Sequence, residues 1–162
     1  MIRVAVVTIS DSCYNGSRED RSGPALEARA KQKGWEVPYA TVLPDEADRI
    51  SEMLRELSDE STAQVVFTTG GTGIAQRDVT PEATRAVIDR EIPGMAEHIR
   101  AEGAKSTSRA VLSRGIVGIR GRTLIVNLPG SPSGAVESFD SIADVVPHVV
   151  DLLEGRTEHR GN

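Results

Sequence analysis

One cysteine, five aromatic residues and no surplus of basic charge put several protein classes out of reach of this 162-residue sequence. Cys13 stands alone and can form no disulfide within the chain, so a disulfide-stapled secreted fold is excluded. Trp35, Tyr14, Tyr39, Phe67 and Phe139 are too few to build a base-stacking platform. Nineteen Lys and Arg against 24 Asp and Glu give a net charge of −5. Such a chain offers a phosphate backbone no sequence-independent attraction, and no nucleic-acid partner is expected. No apolar run approaches the ~18 residues of a membrane span, and Val4–Val7 is too short for a signal peptide. His98, His148 and His159 form no i, i+4 pair, so a zinc site is not expected. Asn15-Gly-Ser17 has the form of a glycosylation acceptor but reads as a turn. The expectation is a soluble, cytoplasmic domain in a reducing compartment, without a membrane partner.

What is present is strand–helix alternation. Arg3–Ile9 and Ala63–Thr69 are near-continuous apolar, β-branched runs, the mark of central strands buried on both faces. Glu36–Leu43 alternates and carries Pro38, which points to an edge strand. Helices are expected after Gly23-Pro24 and Pro44-Asp45, the second with Ile50, Met53, Leu54 and Leu57 on one face. A third opens at Thr80-Pro81, with Thr80 as N-cap and Pro81 as first helical residue. The stripe from Phe139 to Leu153 predicts one long helix kinked at Pro147. Val111–Ile119 and Arg122–Asn127 flank Gly121 as two strands. Residues 1–153 read as one α/β domain with a mainly parallel sheet, and 154–162 as a frayed tail.

In such a sheet ligands bind beyond the carboxyl ends of the strands. Three loops rich in small or polar residues fall there: Ser10-Asp11-Ser12, Thr68–Gly73 and Asn127–Gly134. Gly70-Gly71-Thr72-Gly73 can present converging backbone amides to a phosphate, or be a tight turn. It is neither a Walker loop nor G-x-G-x-x-G. Arg77 and Asp78 follow with no capping duty. They can add a cation and a metal-binding carboxylate beside that nest, or form a surface pair. Asp45 at a helix start reads as a cap; paired with Asp78 it becomes a candidate Mg²⁺ ligand. The two Pro and two Gly of Asn127–Gly134 make a rigid loop at a helix start, a candidate binding wall. Cys13 has no partner His implied by the sequence.

Taken together in order and spacing, Thr68–Gly73, Arg77–Thr84, Ile92-Pro-Gly94, Leu112-Ser-Arg114 and Asn127–Pro132 resemble the molybdopterin-binding family of molybdenum cofactor biosynthesis proteins. This is the MogA/MoaB type, related to the G domain of gephyrin, and the resemblance spans residues 1–153. It implies a three-layer α/β/α sandwich, Rossmann-like with a mostly parallel sheet, assembled as a homotrimer. It also implies adenylylation of molybdopterin by Mg²⁺-ATP with release of pyrophosphate. Carried onto this sequence, Asp45 and Asp78 become the catalytic, metal-holding acids. Substrate contacts are then implied for Ser10, Asp11, Thr69, Gly70, Gly71, Thr72, Gly73, Arg77, Thr80 and Ser113. Asn127, Pro129, Gly130, Ser131 and Pro132 would form the opposite wall.

The chain runs directly from Gly134 into its last helical stretch, as in the MoaB subgroup. Beside the adenylyltransferase stands a second hypothesis, a non-catalytic molybdopterin-binding protein of the same pathway that could hand its ligand to a partner. A nucleotide hydrolase is a third.

Overall fold

In a computed structural model that describes residues 1–156, the chain forms one six-stranded sheet in the order β2-β1-β3-β6-β5-β4. The strands are β1 (Arg3–Ile9), β2 (Glu36–Leu43), β3 (Val65–Thr69), β4 (Arg90–Glu91), β5 (Val117–Arg120) and β6 (Thr123–Leu128). β2, β1, β3 and β6 run parallel, whereas β5 and β4 are antiparallel additions at one edge. Gly121, at φ +57°, begins the two-residue turn that joins β5 to β6.

Side chains alternate across a strand, so a strand apolar at every position must be covered on both faces. Val4 and Val6 of β1 pack on one side with Leu26, Phe67, Phe139 and Val150. Ala5 and Val7 pack on the other with Ile50, Leu54, Leu57 and Val66. The first layer is built from α2 (Ser22–Gln32), α5 (Pro93–Ala104), α6 (Pro132–Ile142) and α7 (Val146–Leu153). The second is α3 (Ala47–Asp59) and α4 (Thr80–Arg85), while the one-turn α1 (Asp11–Tyr14) caps the end of β1. The three-layer α/β/α sandwich and the edge position of β2 are as expected.

Several boundaries differ for physical reasons. The long C-terminal helix is two helices: the chain breaks at 143–145, and Pro147 sits in the first turn of α7, where its missing N–H costs nothing. Pro24 lies inside the first turn of α2, which begins at Ser22 because the Asp20 carboxylate accepts from the Gly23 amide at 3.0 Å. Thr80 is not the N-cap but the first residue of α4, which begins one position earlier than expected, after Val79. Residues 111–116 are not strand: a 3-10 turn, Ser108–Leu112, precedes an extended link into β5. Residues 154–156 form a turn tied back by Arg156 to Asp151; the expected tail at 157–162 lies outside the described residues.

Candidate active site

β1, β3 and β6 lie side by side and parallel, so the loops that follow them emerge on one rim, as the sequence implied. Between these loops and the start of α2 opens a polar cleft of about 630 Å³. Ser10, Asp45, Thr69, Gly70, Gly71, Asp78, Gly130, Ser131 and Pro132 all line it. Its floor is fixed by backbone. Gly70 and Gly71 take φ +102° and +68°, which L side chains rarely adopt. A Cβ on Gly70 would strike the Ile9 carbonyl, and one on Gly71 would strike the Thr80 hydroxyl. The Thr69 hydroxyl donates to Pro129 O at 2.7 Å, and Gly70 N donates to Leu128 O at 3.1 Å, which fastens the Gly loop to the Pro-Gly loop.

The acids are held by a network that spans three strand ends. The Asp11 amide donates to Asp45 Oδ2 and the Asp45 amide donates to Asp11 Oδ1. Arg77 grips Asp11 in a bidentate fork, Nε to Oδ2 at 2.6 Å and Nη2 to Oδ1 at 3.0 Å. Arg77 is therefore engaged on Asp11 rather than free beside the Gly loop. The fork holds the Asp11 carboxyl below its ordinary range, helped by the Asp45 amide. Asp45 goes the opposite way: burial pushes its carboxyl up, and the Asp11 and Asp78 charges push in the same direction. Asp78 Oδ2 accepts from the Ala75 amide at 3.0 Å, closing a turn that aims the carboxylate at the cleft.

A second hollow of about 590 Å³ adjoins the first, and Asp78 and Ser131 belong to both walls. Thr72, Gly73, Ser113 and Pro129 line it, together with the apolar Ile74, Ile99, Ala110 and Leu112. The expected site residues thus divide between a polar and an apolar compartment.

Not all of them face ligand space. Asn127 is buried: its Oδ1 accepts from Ile116 N, and its Nδ2 donates to the Thr68 and Thr84 hydroxyls at 3.0 Å each. It braces the sheet beneath the rim rather than forming the wall. Thr80, also buried, donates through Oγ1 to Gly70 O at 3.0 Å and shapes the floor from behind. Asp11 and Arg77 support the acids from outside the cleft lining.

Sequence reasoning missed the wall at residues 18–22. Arg18, Asp20, Arg21 and Ser22 all line the polar cleft, and Asp20 accepts from the Thr8 hydroxyl at 2.8 Å while capping α2. An Asp three residues ahead of a buried helical Gly is the one local signal that marked this cap. Cys13 also lines the cleft. No cluster of three or more His, Cys, Asp or Glu arranged for a metal occurs among the described residues. Any cation here would be held by the two acids together with substrate oxygens.

Comparison with known proteins gives a consistent picture. Residues 5–148 match the family model described as a probable molybdopterin binding domain. The chain is 40% identical over 169 residues to the molybdopterin adenylyltransferase of Escherichia coli K12, covering 95% of this chain and 86% of that protein. It is 43% identical over 153 residues to the molybdenum cofactor synthesis protein cinnamon of Drosophila melanogaster. That match covers 94% of this chain but only 26% of the longer protein. The crystal structure of the molybdopterin biosynthesis enzyme MoaB from Thermus thermophilus matches with a TM-score of 0.90 at 45% identity, covering 96% of this chain and 98% of that one.

Proposed function

Because the chain belongs to the molybdopterin-binding domain family of molybdenum cofactor biosynthesis, we propose that it is an adenylyltransferase that joins AMP from ATP to molybdopterin. The observation that carries this reading is the pair of adjoining hollows with Asp78 and Ser131 in their common wall. A two-substrate transfer needs two compartments whose reacting ends meet, and in this reading they would meet at that wall.

The reaction moves one bond. A terminal phosphate oxygen of the pterin attacks the α-phosphorus of ATP, the bond from that phosphorus to the α,β-bridging oxygen breaks, and pyrophosphate leaves. No covalent protein intermediate is required, so the protein acts by positioning and by managing charge. Positive φ and close packing against Ile9 and Thr80 reserve Gly70 and Gly71 for glycine, and the floor they set is the backbone that a phosphate in this cleft would meet. Arg18 and Arg21 are the cations in the polar cleft lining and are placed to meet the polyphosphate.

Asp45 and Asp78 would hold Mg²⁺, which when bound neutralises phosphate charge. The donor set fits: two carboxylates line one cleft, and the elevation of Asp45 by burial and by like charge is a cost that a divalent cation relieves. The homotrimer and the cytoplasmic location belong to the same proposal, as does molybdopterin with ATP as the ligand pair. Light scattering on the purified protein tests the first of these.

The deciding experiment incubates the protein with molybdopterin, ATP and Mg²⁺ and measures pyrophosphate. Release that requires both substrates supports the transferase. Pterin binding without release supports a non-catalytic carrier, and ATP turnover without pterin supports a hydrolase.

A further inference from the structure

Arg114 lines neither hollow, yet it makes contacts at both ends of the turn that carries Asp78. Its amide donates to Thr72 O at 2.8 Å, its Nε to Gly73 O at 2.8 Å and its Nη2 to Asp78 O at 2.7 Å. Nη1 grips the Glu82 carboxylate at 2.6 and 3.0 Å, which ties the turn to α4. One guanidinium therefore bridges the carbonyls that begin and end the segment 73–78.

The turn has little else to hold it. Residues 74–77 are exposed, Ile74 at 72%. Besides the bonds between Ala75 and Asp78, its one outward side-chain tie among the described residues is Arg77 to Asp11. An exposed ion pair such as Arg114–Glu82 adds little to global stability. Neutralising Glu82 would need only a positive charge, which Lys supplies. Reaching two carbonyls and a carboxylate at once needs the planar fork of Arg.

We propose that Arg114 is a positioning residue for Asp78, holding the 73–78 turn so that the Asp78 carboxylate stays on the wall shared by the two hollows. Arg77, inside the same turn, passes the restraint on to Asp11. The inference rests on the reading of Asp78 as a cation-holding acid of the transfer site.

The test compares wild type with Arg114→Lys and Glu82→Gln, using Mn²⁺ binding by electron paramagnetic resonance in the presence of ATP. Arg114→Lys is expected to weaken Mn²⁺ binding by about tenfold, as loss of a ligand's support does at other metal sites. Its pyrophosphate release should fall in step and recover at raised Mg²⁺, so that the KM for Mg²⁺ moves while kcat holds. The melting temperature should stay within about 2 °C of wild type, and ATP affinity in EDTA should not change. Glu82→Gln, which weakens the ion pair alone, should cost less than about threefold. Unchanged Mn²⁺ binding in Arg114→Lys overturns the proposal, as does absence of Mn²⁺ binding to the wild type. So does a loss of activity accounted for by a fall in melting temperature. A wild type that binds Mn²⁺ but releases no pyrophosphate refutes the transferase reading alone, and the Mn²⁺ comparison still decides the role of Arg114.

Discussion

Asp11 and Asp45 hold each other across the ends of β1 and β2, each backbone amide donating to the other's carboxylate at 2.9 Å. The two strands run parallel with Ile9 opposite Leu43, so both acids sit two residues past a paired position. Their charges nevertheless differ in cost. Arg77 stabilises the Asp11 carboxylate, whereas burial disfavours that of Asp45.

This difference has opposite signs in a pH profile. The raised Asp45 carboxyl binds its proton more tightly in the folded state. Its contribution is complete below the ordinary aspartate value of about 3.9 and is lost as pH rises through the elevated value. Asp11, depressed, contributes above the ordinary value and loses that contribution as pH falls through its lowered one. Asp45→Asn is therefore expected to raise the melting temperature at neutral pH in EDTA, give no gain in acid, and abolish adenylyl transfer. A melting temperature at neutral pH that fails to rise would refute the cost assigned to burying the Asp45 charge.

Arg77→Gln separates support from stability. The Arg77–Asp11 pair is exposed, with side-chain accessibilities of 62% and 38%, so solvent screens it and its loss should leave the melting temperature nearly unchanged. Released from Arg77, Asp11 no longer fixes the Asp45 loop, and pyrophosphate release should fall about tenfold, equivalent to about 1.4 kcal/mol in the barrier. Rates equal to wild type would show that Arg77 only decorates the surface.

The Gly loop can be probed without breaking it. Gly71→Ala meets both a left-handed φ and the Thr80 hydroxyl, so it should cost about 1–3 kcal/mol in stability as well as ligand binding. Gly130 has ordinary φ, and a Cβ there would lie 3.2 Å from Gly70 Cα. Gly130→Ala should therefore leave the melt nearly intact and weaken ligand binding by shifting the two loops apart. Calorimetric titration with ATP and a melt on the same sample decide it; intact affinity would mean that the contact is scaffold.

Asn127→Ala should behave as a core lesion. Three hydrogen bonds end on its side chain, and truncation strands the Ile116 amide in a buried place. A loss of about 2–4 kcal/mol in chemical denaturation is expected. Little loss of stability, with binding abolished, would restore Asn127 to the ligand wall.

The layers of the fold were legible because Arg3–Ile9 and Ala63–Thr69 read as near-continuous apolar, β-branched runs, and burial on both faces admits few architectures. The rim was legible because Gly and Pro cluster where the strands end. What one-dimensional reading could not weigh was competition for side chains. Asn127 and Thr80 look like ligand-facing polar residues, yet the buried backbone groups of Ile116 and Gly70 claim them first. Arg77 looked free because its partner, Asp11, is 66 residues away in sequence. The 18–22 wall escaped notice because its residues are ordinary surface types that gain meaning only when α2 folds back beside the cleft.

The packing of Gly130 against Gly70 joins segments that the ribosome makes far apart. A growing chain can pair β1 with β3, but it has no Pro-Gly loop to meet Gly70 until most of the polypeptide has emerged. Until then the cleft lacks the wall that Gly130 and its neighbours supply. A ligand that requires both loops would then favour the finished domain over every shorter intermediate, acting as a thermodynamic check on completeness.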